Sequence, residues 1–261
     1  MRPVAQDLGF YWNSISEWIR EQGPPRVLLL GVTPELYTLP WPEGTDIMGV
    51  DYTQAMIDVH WKGPKEAVQN ANWLSLNLPG GSRDIVLCDG GLHLLNYPQE
   101  QKKLLSILRS VLTDQGLCIF RLFARPSSPD TPEEVLRDFL NGRIINNNIL
   151  KIRLSMALQR SPEEGVVLGD VYNKAREAVP DFKKLAAKIG WTIEHMMTIN
   201  NYRELKSRFY YLTVDQTVEL LCHEPGGFRV NRIQFPSYEP VERCPTIALR
   251  CCSLEQNHVS I

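Results

Sequence analysis

No stretch of this sequence approaches the roughly 20 consecutive apolar residues that span a bilayer. Its first residues, Met1-Arg2-Pro3-Val4-Ala5-Gln6-Asp7, hold no apolar signal segment either. The expectation is a soluble, cytoplasmic protein without a membrane partner. An excess of charge is also missing: 28 Lys and Arg stand against 30 Asp and Glu, for a net charge of -2. Nothing electrostatic therefore favours nucleic acid as a partner. The six cysteines, Cys88, Cys118, Cys222, Cys244, Cys251 and Cys252, include no Cys-x-x-Cys pair. Small buried thiols in a reducing compartment are expected, not a disulfide framework or a metal centre. Neither a Gly-x-x-x-x-Gly-Lys phosphate loop nor a His-Glu-x-x-His motif occurs, so no metal site is expected.

What is present is an ordinary globular composition, 43% hydrophobic and 22% charged over 261 residues, enough for one large α/β domain with an insertion. Leu8, Tyr11, Trp12, Ile15, Trp18 and Ile19 recur at helical spacing, which predicts a lead-in helix within 1–25, ended by Gly23-Pro24-Pro25. Apolar runs at Val27 to Leu30, Ile47 to Asp51, Asp84 to Asp89 and Gly116 to Phe123 alternate with helical patterns at Gln54 to Val59 and Pro98 to Leu112. That rhythm predicts a parallel sheet built from βαβ units. The strand signal then lapses, and 125–180 reads as a helical insertion or lid opened by Asp130-Thr131-Pro132. Afterwards come a helix at Phe182 to Ile189, a strand near Trp191 to Met197, a helix opened by Thr213-Val214-Asp215-Gln216, and an antiparallel hairpin from Phe228 to Phe235 and Thr246 to Cys251. The fold expected is a Rossmann-like, mostly parallel seven-stranded sheet with an antiparallel edge hairpin and helices on both faces, in a single domain over 1–261.

Ligands of open parallel sheets bind beyond the carboxyl ends of the strands, so the residues there carry the chemistry. Gly31 closes the first strand, and Asp51 closes the second, 20 residues later. This is the spacing at which such folds set a carboxylate on ribose hydroxyls. Asp51 also suits the cap of the helix that follows.

The order of these motifs resembles the class I S-adenosylmethionine-dependent methyltransferases over roughly Arg26 to Phe123. The matching segments are Val27 to Thr33, Ile47 to Asp51, Asn72-Trp73-Leu74-Ser75-Leu76 and Asp84 to Leu95. The resemblance implies S-adenosylmethionine as cofactor. Gly31 and Thr33 would approach its methionine portion, Asp51 its ribose, Tyr52 and Met56 one face of the adenine, and Asn72, Trp73 and Leu74 the adenine edge and other face. Asp89 and Gly90 would lie beneath the sulfonium. The glycine motif departs from the family: Leu29-Leu30-Gly31-Val32-Thr33-Pro34-Glu35 lacks an acid and two of the glycines. The contact to the cofactor's amino group would then come from Glu35, from Asp89 or from a backbone carbonyl, and Glu35 equally suits the first turn of the next helix.

Methyl transfer from a sulfonium is an in-line displacement driven by alignment, and a general base is optional. His93, just after the strand ending at Asp89, is the candidate base, with packing as its alternative role. Tyr11, Arg125, Asn147 and Arg153 are candidate contacts to a small-molecule acceptor. The Pro-Pro-aromatic motif of amino-methylating nucleic-acid enzymes is absent at Asp89-Gly90-Gly91-Leu92. Two other readings stay open: a non-catalytic cofactor-binding or scaffold protein, and a nicotinamide-dependent oxidoreductase, which shares the Asp51 spacing but needs a Gly-x-Gly-x-x-Gly turn that this chain does not have.

Overall fold

Short runs of Val, Leu and Ile bounded by glycine, proline or acids make the strands, and the longer periodic stretches between them make the helices. The computed structural model describes residues 1–222, 227–238 and 243–252. The order begins with α1 (Ala5–Gln22), β1 (Arg26–Leu30), α2 (Pro34–Tyr37), β2 (Asp46–Asp51), α3 (Gln54–His60), β3 (Val68–Asn70), β4 (Arg83–Asp89), α4 (Gln99–Val111) and β5 (Leu112–Arg121). Next come α5 (Pro132–Leu140), α6 (Asn147–Leu158), β6 (Val166–Val167), α7 (Leu168–Ala178), α8 (Phe182–Ile189), α9 (Ile193–Met197) and β7 (Arg208–Phe209). The last elements are α10 (Val214–Cys222), β8 (Phe228–Gln234) and β9 (Thr246–Cys251). They divide into two compact units. The first comprises 1–92, 98–122 and 214–261, and the second comprises 93–97 and 123–213.

The first unit is built on a seven-stranded sheet of order β3-β2-β1-β4-β5-β9-β8. Strands β1 to β5 run parallel, while β9 is antiparallel to both β5 and β8. Strands β1, β4 and β5 are buried over most of their length, which is why they read as continuous apolar runs. On one face Val27, Leu29, Ile85, Leu87, Leu117 and Ile119 pack against Tyr11, Ile15 and Trp18 of α1. Burying each such side chain contributes about 1.5–3 kcal/mol. The positions on α1 fall at i, i+4 and i+7, one stripe of a helix. Trp18 Nε1 anchors that stripe by donating to the Gln115 carbonyl at 2.8 Å.

Three expectations need correction. The segment expected as a strand at Trp191 to Met197 forms α9, because Thr192 caps a helix by accepting from His195 N at 3.2 Å. Trp191 itself packs on the rings of Phe139 and His195. The seventh strand is instead β3, a Val-Gln-Asn edge strand with no apolar run to announce it. Finally, the helical region runs well beyond 125–180: it reaches Thr213 and takes in 93–97, with α5 to α9 and the small β6–β7 ladder as its elements.

Candidate functional site

Strand order reverses between β1 and β4, since β2 and β3 lie to one side and β5 to the other. The loops leaving these two strands diverge and open a crevice at their carboxyl ends. Gly31, just past β1, has φ +89, a conformation that glycine adopts without strain. It donates its N–H to the Val50 carbonyl at 2.8 Å. A Cβ at Gly31 would lie 3.9 Å from Asp51 Oδ2 and 3.8 Å from the Trp73 ring, so these three residues converge. Asp51 Oδ1 accepts from Thr53 N at 2.9 Å, which orients the carboxylate at the start of α3. Its Oδ2 faces Gly31 and has no hydrogen-bond partner among the described residues. Beside it Tyr52 is 75% exposed and Met56 43% exposed. Tyr52 lies just before α3 and Met56 in its first turn, so both leave apolar surface uncovered at the start of that helix. Asn70 Nδ2 steadies this corner by donating to the carbonyls of Asp51 and Tyr52.

The far wall of the corner is Trp73. Its Nε1 donates to the Val50 carbonyl at 2.9 Å, and its ring presses so closely on Gly91 that a Cβ there would come within 2.7 Å of it. Asn72 is exposed and accepts from Leu74 N at 2.9 Å through its side-chain oxygen, capping the short turn Trp73–Ser75. The Leu74 N–H is thereby satisfied within the chain. Thr33 is half-buried directly before α2, and its hydroxyl makes no capping bond. Glu35 sits in the first turn of α2 and is paired with Arg2 at 3.0 and 3.1 Å, so its carboxylate is already engaged.

Asp89 is engaged as well, in a network that the sequence reading missed. Arg121, fully buried at the end of β5, binds Asp89 Oδ1 through Nε at 2.5 Å and Oδ2 through Nη2 at 3.2 Å. Its Nη1 lies 3.4 Å from Asp7 Oδ2, and its backbone N donates to the Tyr11 hydroxyl at 3.0 Å. Tyr11 donates in turn to the Cys88 carbonyl at 2.8 Å, and Tyr238 donates to Asp7 at 2.7 Å. Burial pushes the Asp89 carboxyl up, and Arg121 opposes that shift. Burial also works against the Arg121 charge, but Asp89 and Asp7 more than offset it. Asp89 thus holds the tip of β4 to the tip of β5, and does not lie open beneath a ligand. Gly90, with φ +66, completes the join by donating to the Arg121 carbonyl at 2.9 Å. The readable signal was a charged residue inside the apolar run Phe120-Arg121-Leu122.

His93 belongs to the second unit. It is buried, stacked on Tyr211 at 5.3 Å and edge-on to Phe123 and Phe209 at 5.1 and 4.7 Å. Burial lowers its pKa to about 3, and Nδ1 has no hydrogen-bond partner. A neutral imidazole of such low basicity is a poor proton acceptor, so the role of general base is corrected to that of an aromatic-cluster member. Of the residues proposed as acceptor contacts, three serve packing. Tyr11 is the buried bridge described above. Asn147, wholly buried, donates to the carbonyls of His195 and Met196 and to Thr198 Oγ1, closing the end of α9. Arg153 pairs with Asp130 at 3.0 Å and Asp138 at 2.9 Å. Arg125 alone keeps a buried Nε without a partner.

A cavity of about 950 Å3 lies elsewhere in the first unit, among Leu105, Arg109, Leu112, Leu221 and Phe228. It is at the amino-terminal edge of β5 and β8, away from Gly31 and Asp51, and has no part in the converging corner. Among the described residues no cluster of three or more His, Cys, Asp or Glu could hold a metal ion, and no helix is long and apolar enough to cross a membrane.

This sheet order, with an acid closing β2 and a glycine turn closing β1, is that of the Rossmann-like methyltransferase fold. Residues 28–120 match the family model of the methyltransferase domain. No curated protein matches the sequence. Among solved structures, an S-adenosylmethionine-dependent methyltransferase from Mesorhizobium loti is similar at 14% identity and TM-score 0.51, covering 92% of this chain and 96% of that one. A Methanosarcina mazei structure that bears the name of S-adenosylmethionine-dependent methyltransferases gives 12% identity and TM-score 0.50, covering 96% and 98%. A Rhodobacter sphaeroides structure that bears the name of Zn-dependent alcohol dehydrogenases gives 12% identity and TM-score 0.59, covering 96% and 91%. At these identities the likeness is one of fold.

Proposed function

We propose that the first unit binds S-adenosylmethionine across the carboxyl ends of β1, β2 and β4, and that the protein passes the methyl group to a small-molecule acceptor. The carrying observation is the convergence of Gly31, Asp51 and Trp73, with Asp51 Oδ2 unpartnered and turned into the corner. These residues fit an adenosyl group. Asp51 supplies an acceptor for ribose hydroxyls, forming charge-assisted hydrogen bonds. Tyr52 and Met56 give a flat apolar cover for adenine, and exposed Asn72 stands at its edge. Gly31 and Thr33 leave a turn narrow enough for an amino-acid tail. Gly90 and Gly91, carrying no side chains, keep the β4 tip low.

When bound, S-adenosylmethionine supplies an electrophilic methyl group on a good leaving group. This chain then has to position the reactants and exclude water. Glu35 and Asp89 are both tied to arginines, so backbone groups of the Gly31 turn are left to hold the amino-acid tail. No proton is routed through His93.

Those engaged acids also favour a second reading, a domain that binds the cofactor without turning it over. Titration with S-adenosylhomocysteine tests the binding that both readings share. Asp51→Ala should weaken it by about 1.5–3 kcal/mol, the worth of hydrogen bonds to a charged group. A folded Asp51→Ala protein with the parent's affinity removes Asp51 from the site. Labelled methyl transfer to an acceptor panel separates the two readings.

A further inference from the structure

The second unit holds a row of aromatic rings in mutual contact. Tyr202 meets Phe209 at 6.2 Å, Phe209 meets His93 at 4.7 Å and Tyr211 at 6.1 Å, and His93 meets Phe123 at 5.1 Å. Tyr211 and His93 are buried, whereas Phe123, Tyr202 and Phe209 remain half-buried. One cation borders the row, and a second stands near it in sequence. Lys151 on α6 places Nζ 5.1 Å from the centre of the Tyr202 ring. Arg125 follows Phe123 by two positions, and its backbone N–H donates to Leu212 O at 2.8 Å.

Neither cation forms an ion pair with an acid among the described residues, and both have their charge disfavoured by burial. The contrast lies within the same unit, where Arg153 is held by two aspartates and Arg143 by one. A half-buried ammonium without a counter-charge is costly unless a ligand supplies one. Half-buried aromatic faces beside it are the surface on which a planar ring stacks. The buried Nδ1 of His93 is a further polar atom with no protein partner.

We infer that the second unit binds an aromatic organic anion, its ring laid on Phe209 and Tyr202 and its carboxylate paired with Lys151, with Arg125 as the second cation of the site. As a binding site it stands on this unit alone.

The test is equilibrium titration of the full chain, without any adenosyl compound, using benzoate, salicylate, anthranilate and indole acetate, each against its own carboxamide. At least one carboxylate should bind about ten-fold or more tightly than its amide, the discrimination expected of a charge-assisted contact. Lys151→Met should abolish that preference, Lys151→Arg should keep most of it, and Arg125→Met should reduce it. Equal binding of acids and amides, no binding by any acid, or an undiminished preference in Lys151→Met overturns the inference. Titration of the same preparations with S-adenosylhomocysteine separates the failures. Intact cofactor binding with no anion preference rejects only this site, whereas lost cofactor binding in the parent rejects the methyltransferase reading.

Discussion

At the scale of single residues, burial decides which chemistry a side chain can perform. His93 stands four positions beyond the end of β4 at Asp89, and that position suggested a catalytic base. Sequence position does not reveal that three aromatic rings enclose it. Its folded pKa near 3 lies below the unfolded value of about 6.5. Below about pH 6.5 the unfolded chain therefore binds a proton that the folded chain does not, and His93 lowers stability as pH falls toward 3. His93→Phe should flatten the loss of unfolding free energy between about pH 6.5 and pH 4 relative to the parent, with little change at pH 8. Urea unfolding across that range measures it, and parallel pH profiles would contradict the assignment. Asp51 and Gly31 were legible because strand-end position and spacing determine what they face. Asn147 and Arg153 were not, since a polar residue on a helix looks the same whether it meets solvent or a buried carbonyl.

At the scale of elements, strands with apolar interiors were readable and the polar edge was not. β3 has three residues, none fully buried, and is held by its pairing with β2. Its pairing partner is a neighbour distant in sequence. α9 shows the opposite effect, a β-prone Trp-Thr-Ile run drawn into a helix by the Thr192 cap. The link between β4 and β5 yields a sharper prediction. Arg121→Met would leave Asp89 and Asp7 buried without their counter-charge, a change that costs about 3–5 kcal/mol. Arg121→Lys should recover little, because one ammonium cannot reproduce a two-pronged contact to Asp89 while reaching Asp7. Chemical denaturation of both variants checks this, and a parent-like midpoint for Arg121→Met would show the network to be dispensable.

At the scale of the whole molecule, the chain is two bodies, each with its own core, although the sequence suggested one domain and a shorter insertion. The boundary escaped notice because α8 and the following segment repeat the helix-then-strand rhythm of the sheet. Regions with separate cores open separately. Asn147→Ala strips donors from two buried carbonyls and should cost about 1–3 kcal/mol locally. Hydrogen exchange should then quicken in α6 and α9 and stay unchanged in β1 and β4. Equal acceleration in both places would mean that the chain opens as a single cooperative body.

The press of the Trp73 indole on Gly91 also constrains how this corner could change through descent. A methyl group at 91 and an indole at 73 cannot occupy the same space, so a lineage that abandoned the glycine would first need a slimmer residue at 73, and would then forfeit the bond to Val50. The two positions should drift only as a couple, and a survey of relatives in which they vary independently would refute that.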